Sequence, residues 1–202
     1  VIINNHLKCC GDDILNTNDP NDEEMRRLTA VTLLKQYIDS LFTNERVIVV
    51  GDLNDILTDS PTHNVFQSII DDTVNYMFTD MLISQGNSAD WSYPTWPSHL
   101  DHILITNELF ADFSEPNSEI RCIRIDDYMN SWNQYDNNIS DHRPVAIKLD
   151  VGNITSEMEL GKNNTKLIKI IDVLGKEVGK NTKGILFYIY DNGTMEKRII
   201  VE

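Results

Sequence analysis

His6, the pair Asp52 and Asn54 in the run GDLND, Asp101 beside His102 in SHLDHILI, and Asp141 beside His142 in SDHRPV are the residues whose types and grouping suit chemistry. Carboxylates and an amide oxygen suit Mg²⁺, Mn²⁺ or Ca²⁺ rather than zinc. A histidine next to such a set can hydrogen-bond a phosphate or give it a proton. Taken together, the four clusters describe a hard-cation, phosphate-handling centre. Singly, each has a plainer reading. His6 alone reads as a structural histidine, and GDLND as a turn, since Gly, Asn and Asp are turn residues. His99, Asp101 and His102 have a zinc-like spacing without an evident third ligand. SDHRPV alone reads as a serine-capped turn before an edge strand.

These residues need elements to hold them, and the clusters fall where predicted strands begin or end. Residues 1–7 read as an apolar strand and 46–50 as a buried β-branched strand running into Gly51. Between them, residues 18–42 read as a helix that Asn18 or Asp19 can cap, with Pro20 in its first turn and acids at its start. Met25, Leu28, Val31 or Thr32, and the stretch 35–38 follow a helical stripe. Strand, helix and strand at this spacing form a βαβ unit with a right-handed parallel crossover. Downstream, 64–70 and 107–113 read as short helices, 102–106, 119–125 and 144–149 as strands, and 126–140 as a polar loop. The segment 77–84 is apolar and fits either state. Trp91, Tyr93 and Trp96 stand among prolines, either as a wall against a substrate or as loop packing. Arg143, just before Pro144, reads as a phosphate contact or a surface residue. The fold class is α/β (α+β), with no repeats.

The 202 residues are 41% hydrophobic and 24% charged, enough for a buried core. The net charge of −15 is uneven: residues 1–150 hold nine Lys and Arg against 25 Asp and Glu, whereas 151–202 hold eight against seven. That break predicts two parts, a domain over 1–150 and, after a polar linker at 151–164, a small all-β domain over 165–202. In the latter, the DNG stretch between two apolar runs signals a hairpin. An acidic body argues against holding nucleic acid by phosphate neutralisation alone, but not against reaching phosphates through bound cations. No apolar run approaches a transmembrane segment, and no signal peptide is visible. The chain opens inside a strand, so it is expected to begin mid-protein. Cys9, Cys10 and Cys122 form neither a disulfide framework nor a zinc site.

NNHLK at 4–8, GDLND at 51–55, SHLDHILI at 98–105 and SDHRPV at 140–145 stand in the order and spacing of the endonuclease/exonuclease/phosphatase superfamily, which residues 1–149 resemble. The resemblance implies part of a four-layer α/β/β/α sandwich of the DNase I-like fold, with a metal-dependent phosphoesterase site at one rim. It implies that Asp52 orients or deprotonates the attacking water, and that Asn54 holds the phosphate or a metal. Asp141 would bind the divalent cation, most simply Mg²⁺, with Asp52 and Asn54. His142 would hydrogen-bond the scissile phosphate while Asp101 fixes its ring, and His6 would contact the phosphate or assist the leaving oxygen. The substrate implied is a phosphodiester, first DNA or RNA in a secreted nuclease, alternatively a phospholipid head group or small phosphodiester. The family's metal-binding Glu precedes the first of these motifs, so the chain is expected to carry the second half of the fold and an incomplete metal site. Residues 165–202, with Asp172, Gly175 and Lys176 in a D-x-x-G-[KR] turn, resemble the C-terminal sorting domain of the type IX secretion system of Bacteroidetes. That implies partnership with the secretion machinery and a secreted or cell-surface location. The competing classes are an ordinary β appendage for the tail, and for the body a non-catalytic binding protein on a phosphoesterase scaffold or a calcium-stabilised module.

Overall fold

The structure is a computed structural model, and it describes residues 1–151, 166–173, 175–180, 182–191 and 193–200. The chain divides into two compact units, Val1–Gly152 and Asn153–Glu202.

In the first unit, β1 (Ile2–His6), α1 (Glu23–Leu41) and β2 (Ile48–Asp52) form a parallel βαβ unit. β2 then pairs antiparallel with β4 (Asp101–Thr106), which pairs with β3 (Tyr76–Phe78), giving a mixed sheet of order β1-β2-β4-β3. Because side chains alternate across a strand, register decides which face each residue serves. Ile3, Val49, Leu104 and Phe78 share one row. They meet Val31 and Ile38 of α1 in a dry core with Phe66 and Ile69, each burial worth roughly 1.5–3 kcal/mol. Shifting three residues along the same strands, to the other face, brings His6, Asp52 and Asp101 into one row at the sheet's end.

Helix α1 starts later than the sequence suggests. Asp22 is its N-cap, its carboxylate accepting from the Met25 N–H at 2.8 Å. Asp19 instead accepts from the Asn21 N–H in a preceding turn that also contains Pro20. β2 spans 48–52 rather than 46–50, continuing through Gly51 into Asp52. Gly51 makes this possible: its φ is +140°, and a Cβ there would fall 1.8 Å from the Asn5 carbonyl oxygen. Only glycine lets β1 and β2 approach so closely. The ambiguous 77–84 stretch divides into the end of β3 and α3 (Met81–Ser84), after a short α2 (Gln67–Ile70). Residues 107–113 form a 3₁₀ turn leading into α4 (Phe110–Ser114).

β5 (Glu119–Cys122) and β6 (Val145–Lys148) form a separate two-stranded antiparallel sheet that contacts β4 through β6. The segment expected as a polar loop instead contains a 3₁₀ turn at Ile125–Tyr128 and α5 (Trp132–Asn138). Ser131 caps α5, and Tyr135 is its buried residue. With so little apolar surface, this helix gives no periodic signal to read.

In the second unit, β7 (Leu167–Asp172), β8 (Gly184–Tyr190) and β9 (Met195–Ile200) form an antiparallel sheet over Ile170, Leu186 and Tyr188. Most of the expected linker lies outside the described residues.

Candidate functional site

The row His6–Asp52–Asp101 is completed from another direction. Asp141 and His142 lie just before β6, where the Tyr135 hydroxyl donates to the His142 carbonyl at 2.8 Å and Tyr93 stacks on the imidazole at 4.8 Å between centroids. His142 Nδ1 donates to Asp101 Oδ2 at 2.7 Å, which leaves Nε2 on the side of Asp52, 3.9 Å from its Oδ2. His6 Nε2 approaches the same Asp52 oxygen at 3.6 Å. Asp52 thus sits between two imidazoles, in a cleft of about 830 Å³ that Asn54, Tyr93 and Asp141 also line.

Asn54 takes a left-handed conformation, φ +54°. Its N–H donates to Asp52 Oδ1 at 3.0 Å and its side-chain amide to the Leu7 carbonyl at 3.2 Å. The latter bond fixes the amide's orientation, leaving Oδ1 as its remaining acceptor.

Charge is distributed unevenly over these groups. Burial, reinforced by the Asp101 charge, pushes the Asp52 carboxyl above its usual value. Burial would do the same to Asp101, but hydrogen bonds from His142 and from the Ser92 hydroxyl outweigh it and hold that carboxyl low. The Asp101 hydrogen bond raises His142 above an ordinary histidine. Asp101 and His142 thus each favour the charged form of the other, and Asp52 remains the carboxylate without a dedicated hydrogen-bonded partner of that kind.

Asp101 and His102, adjacent in sequence, diverge. His102 lies on the core face, its Nδ1 2.6 Å from Asp80 Oδ2 and its Nε2 2.9 Å from the Asp55 carbonyl. Both ring nitrogens face acceptors, so both carry protons and the ring is a buried cation. Burial alone would lower its pKa; the Asp80 carboxylate reverses that and raises it. His99 Nδ1 accepts from the Ser92 N–H at 3.2 Å and its Nε2 donates to Asp80 at 3.1 Å. Asp80 is the third partner that the His99–His102 spacing lacked. Sequence reading missed it because a lone Asp after an apolar run carries no pattern. The same Ser92 accepts from the Leu100 and Asp101 N–H groups, so this interior network underlies the cleft.

A second buried network begins on α1. Arg27 Nε donates to Asp55 at 2.8 Å, its Nη2 lies 3.1 Å from Glu24, and its Nη1 donates to the Lys8 and Cys10 carbonyls. Arg143 is neither a phosphate contact nor a surface residue. It is buried, with two hydrogen bonds to Asp126 and further ones to the Ala89 and Trp91 carbonyls. Trp91 packs with its indole N–H on the Ile83 carbonyl, whereas Trp96 lines the cleft and is 75% exposed.

Three groups among the described residues bring possible metal ligands within 4.8 Å of one another: Asp80, His99 and His102; Asp52, Asp101 and His142; Asp12, Asp22 and Glu24. The first is committed to internal hydrogen bonds, and in the third Asp22 serves as the helix cap. In the second, Asp101 is committed to His142. Oxygen donors for a hard cation in the cleft are therefore Asp52, the Asn54 amide oxygen and the exposed Asp141, a set whose chemistry fits Mg²⁺ or its relatives. The family model described as "Endonuclease/Exonuclease/phosphatase family" matches residues 5–142, a span that holds every residue of this cleft set. No curated protein matches the chain.

Proposed function

The chain belongs to the endonuclease/exonuclease/phosphatase family, whose members are generally hydrolytic, and on that premise we propose that it is a divalent-metal-dependent phosphodiesterase, most simply a secreted nuclease. The observation that carries this reading is the row His6–Asp52–Asp101 joined by His142: His6, Asp52 and His142 line one cleft, and Asp101 holds the His142 ring from behind.

In this reading Asp52 positions a water and takes its proton as the water's oxygen attacks phosphorus; its raised pKa makes it a better base than an ordinary carboxylate. His142, protonated and held by Asp101, donates from Nε2 to a phosphoryl oxygen on which charge builds. The bond from phosphorus to the leaving oxygen breaks, and His6 supplies that oxygen with a proton. Asp52, Asn54 and Asp141 would hold the cation, which when bound neutralises phosphoryl charge and polarises the ester. Tyr93 keeps the face of His142 from rotating out of line.

A second reading, a hydrolase of small phosphodiesters or phospholipid head groups, is favoured by the excess of acids over residues 1–150. Supplying Mg²⁺ with duplex DNA, RNA and phosphocholine lipid to the same preparation separates the two. Cleavage of nucleic acid supports the nuclease; cleavage of the lipid alone replaces it with the second reading.

Two sheets, with α1 packed on the larger, support reading the first unit as part of a four-layer sandwich. The resemblance of the second unit to a type IX sorting domain is supported by its built D-x-x-G-K turn, in which the Gly175 and Lys176 N–H groups donate to Asp172 and Gly175 has φ +79°. Appearance of the protein in the medium or on the surface of its native cells tests export.

A further inference from the structure

Three residues beyond His6, the chain places two cysteines in succession on the wall of the same cleft. Both are exposed, and their sulfurs stand 2.9 Å apart, close enough to share a proton. The curl that brings them together is built from buried parts. Arg27 Nη1 donates to the Lys8 carbonyl at 2.8 Å and to the Cys10 carbonyl at 2.7 Å, clamping the backbone on either side of Cys9. Cys10 takes φ +72°, a conformation rare for a side chain with a Cβ. Gly11 follows at φ +121°, where a Cβ would fall 2.0 Å from Glu24 Oε1. The guanidinium is held in turn by Glu24 and Asp55, so the curl rests on the core of the first unit.

We propose that Cys9 and Cys10 are a redox-active dithiol, a modification site that low-molecular-weight disulfides convert reversibly to a vicinal disulfide beside the catalytic cleft. The external disulfide is the two-electron oxidant. The Cys9 thiolate attacks one sulfur of the external disulfide, forming a mixed disulfide and releasing one thiol. The Cys10 thiolate then attacks Cys9 Sγ, closing the internal bond and releasing the second thiol. Two protein thiols are oxidised and one external disulfide is reduced to two thiols. Cys9 is suited to the first attack: the shared proton from Cys10 lowers its pKa, and the Lys8 ammonium 3.8 Å away adds to this. The product is readily reduced. Adjacent residues have Cα atoms about 3.8 Å apart across a trans peptide, against roughly 4.4–6.8 Å in most disulfides, and strained, exposed disulfides are the labile ones. Cys122 is the internal control, since burial pushes its thiol up to about 11.

The chemistry stands apart from the proposed hydrolysis, so it is tested by mass rather than by activity. The full chain, first reduced with dithiothreitol, is incubated with glutathione disulfide, quenched with acid and digested with trypsin, which releases residues 9–26 with both cysteines in one peptide. The expected result is a peptide lighter by two hydrogens, restored by dithiothreitol, with the Cys122 peptide unchanged. The Cys10→Ser protein should instead retain glutathione on Cys9, because the second attack has no nucleophile. A wild-type peptide that keeps glutathione on either cysteine, or that never loses two hydrogens, overturns the proposal.

Discussion

At the scale of single residues, the site turns on two carboxylates in different surroundings. Asp101 is committed to His142 and Ser92; Asp52 is half-buried between imidazoles and raised by burial and by Asp101. His142 is raised chiefly by its bond to Asp101, so it keeps its proton to higher pH than a free imidazole and loses it as pH climbs through that raised value. Replacing Asp101 with Asn removes the cause. The His142 ring resonances, followed by NMR, should then titrate at lower pH, and the alkaline limb of hydrolysis should move down with them. An unchanged titration midpoint would show that Asp101 does not hold the ring. These side chains were legible from sequence because each closes a compact motif at a strand end. Asp80 and Ser92 were not, since their importance comes from contacts with residues 7 to 23 positions away.

At the scale of elements, buried charge and close backbone approach define the supports. His102 is a cation in the core, paired with Asp80. Asp80→Asn leaves that charge without its counterion, and loss of one partner of a buried pair costs about 3–5 kcal/mol; urea unfolding should show a midpoint lowered to match. Asp80→Asn at unchanged stability would mean the His102 ring is neutral. The loop after β2 holds a second titrating support. Burial and the neighbouring Asp55 carboxylate push Asp59 up to about 7, far above its unfolded value near 3.9. The folded chain then binds more protons than the unfolded one between these values, so stability falls as pH rises from about 4 to about 7. Asp59→Asn should flatten that decline and raise the melting temperature at pH 8. The βαβ unit could be read from periodicity and spacing; the end of β2 could not, because Gly51 lets the strand run on into Asp52 rather than ending it. Helix α5 could not: only Tyr135 is buried, and Asn-rich composition reads as loop. The start of α1 was misplaced because Asp19 and Asp22 are both good caps, and only the turn through Pro20 decides between them.

At the scale of the whole molecule, charge separates the possible substrates. The first 150 residues hold nine Lys and Arg, and two of them, Arg27 and Arg143, are locked in the interior. Few remain to neutralise phosphates, so DNA affinity without a divalent cation should be weak and vary little with salt, unlike that of proteins that bind through many phosphate contacts. Fluorescence anisotropy with labelled DNA in EDTA checks this, and tight binding with a steep salt slope would contradict it. No helix among the described residues is long and apolar enough to cross a membrane. The central claim is that Asp52 and His142 act on a phosphodiester, and the most direct measurement is hydrolysis of bis(4-nitrophenyl) phosphate by the full chain in Mg²⁺. Asp52→Asn and His142→Ala should each slow it by about 10²–10⁴-fold, the usual contribution of a positioned acid or base, with unfolding midpoints close to wild type. Hydrolysis that EDTA does not abolish, variants that match the wild-type rate, or a wild-type protein inert with every divalent cation would contradict the account.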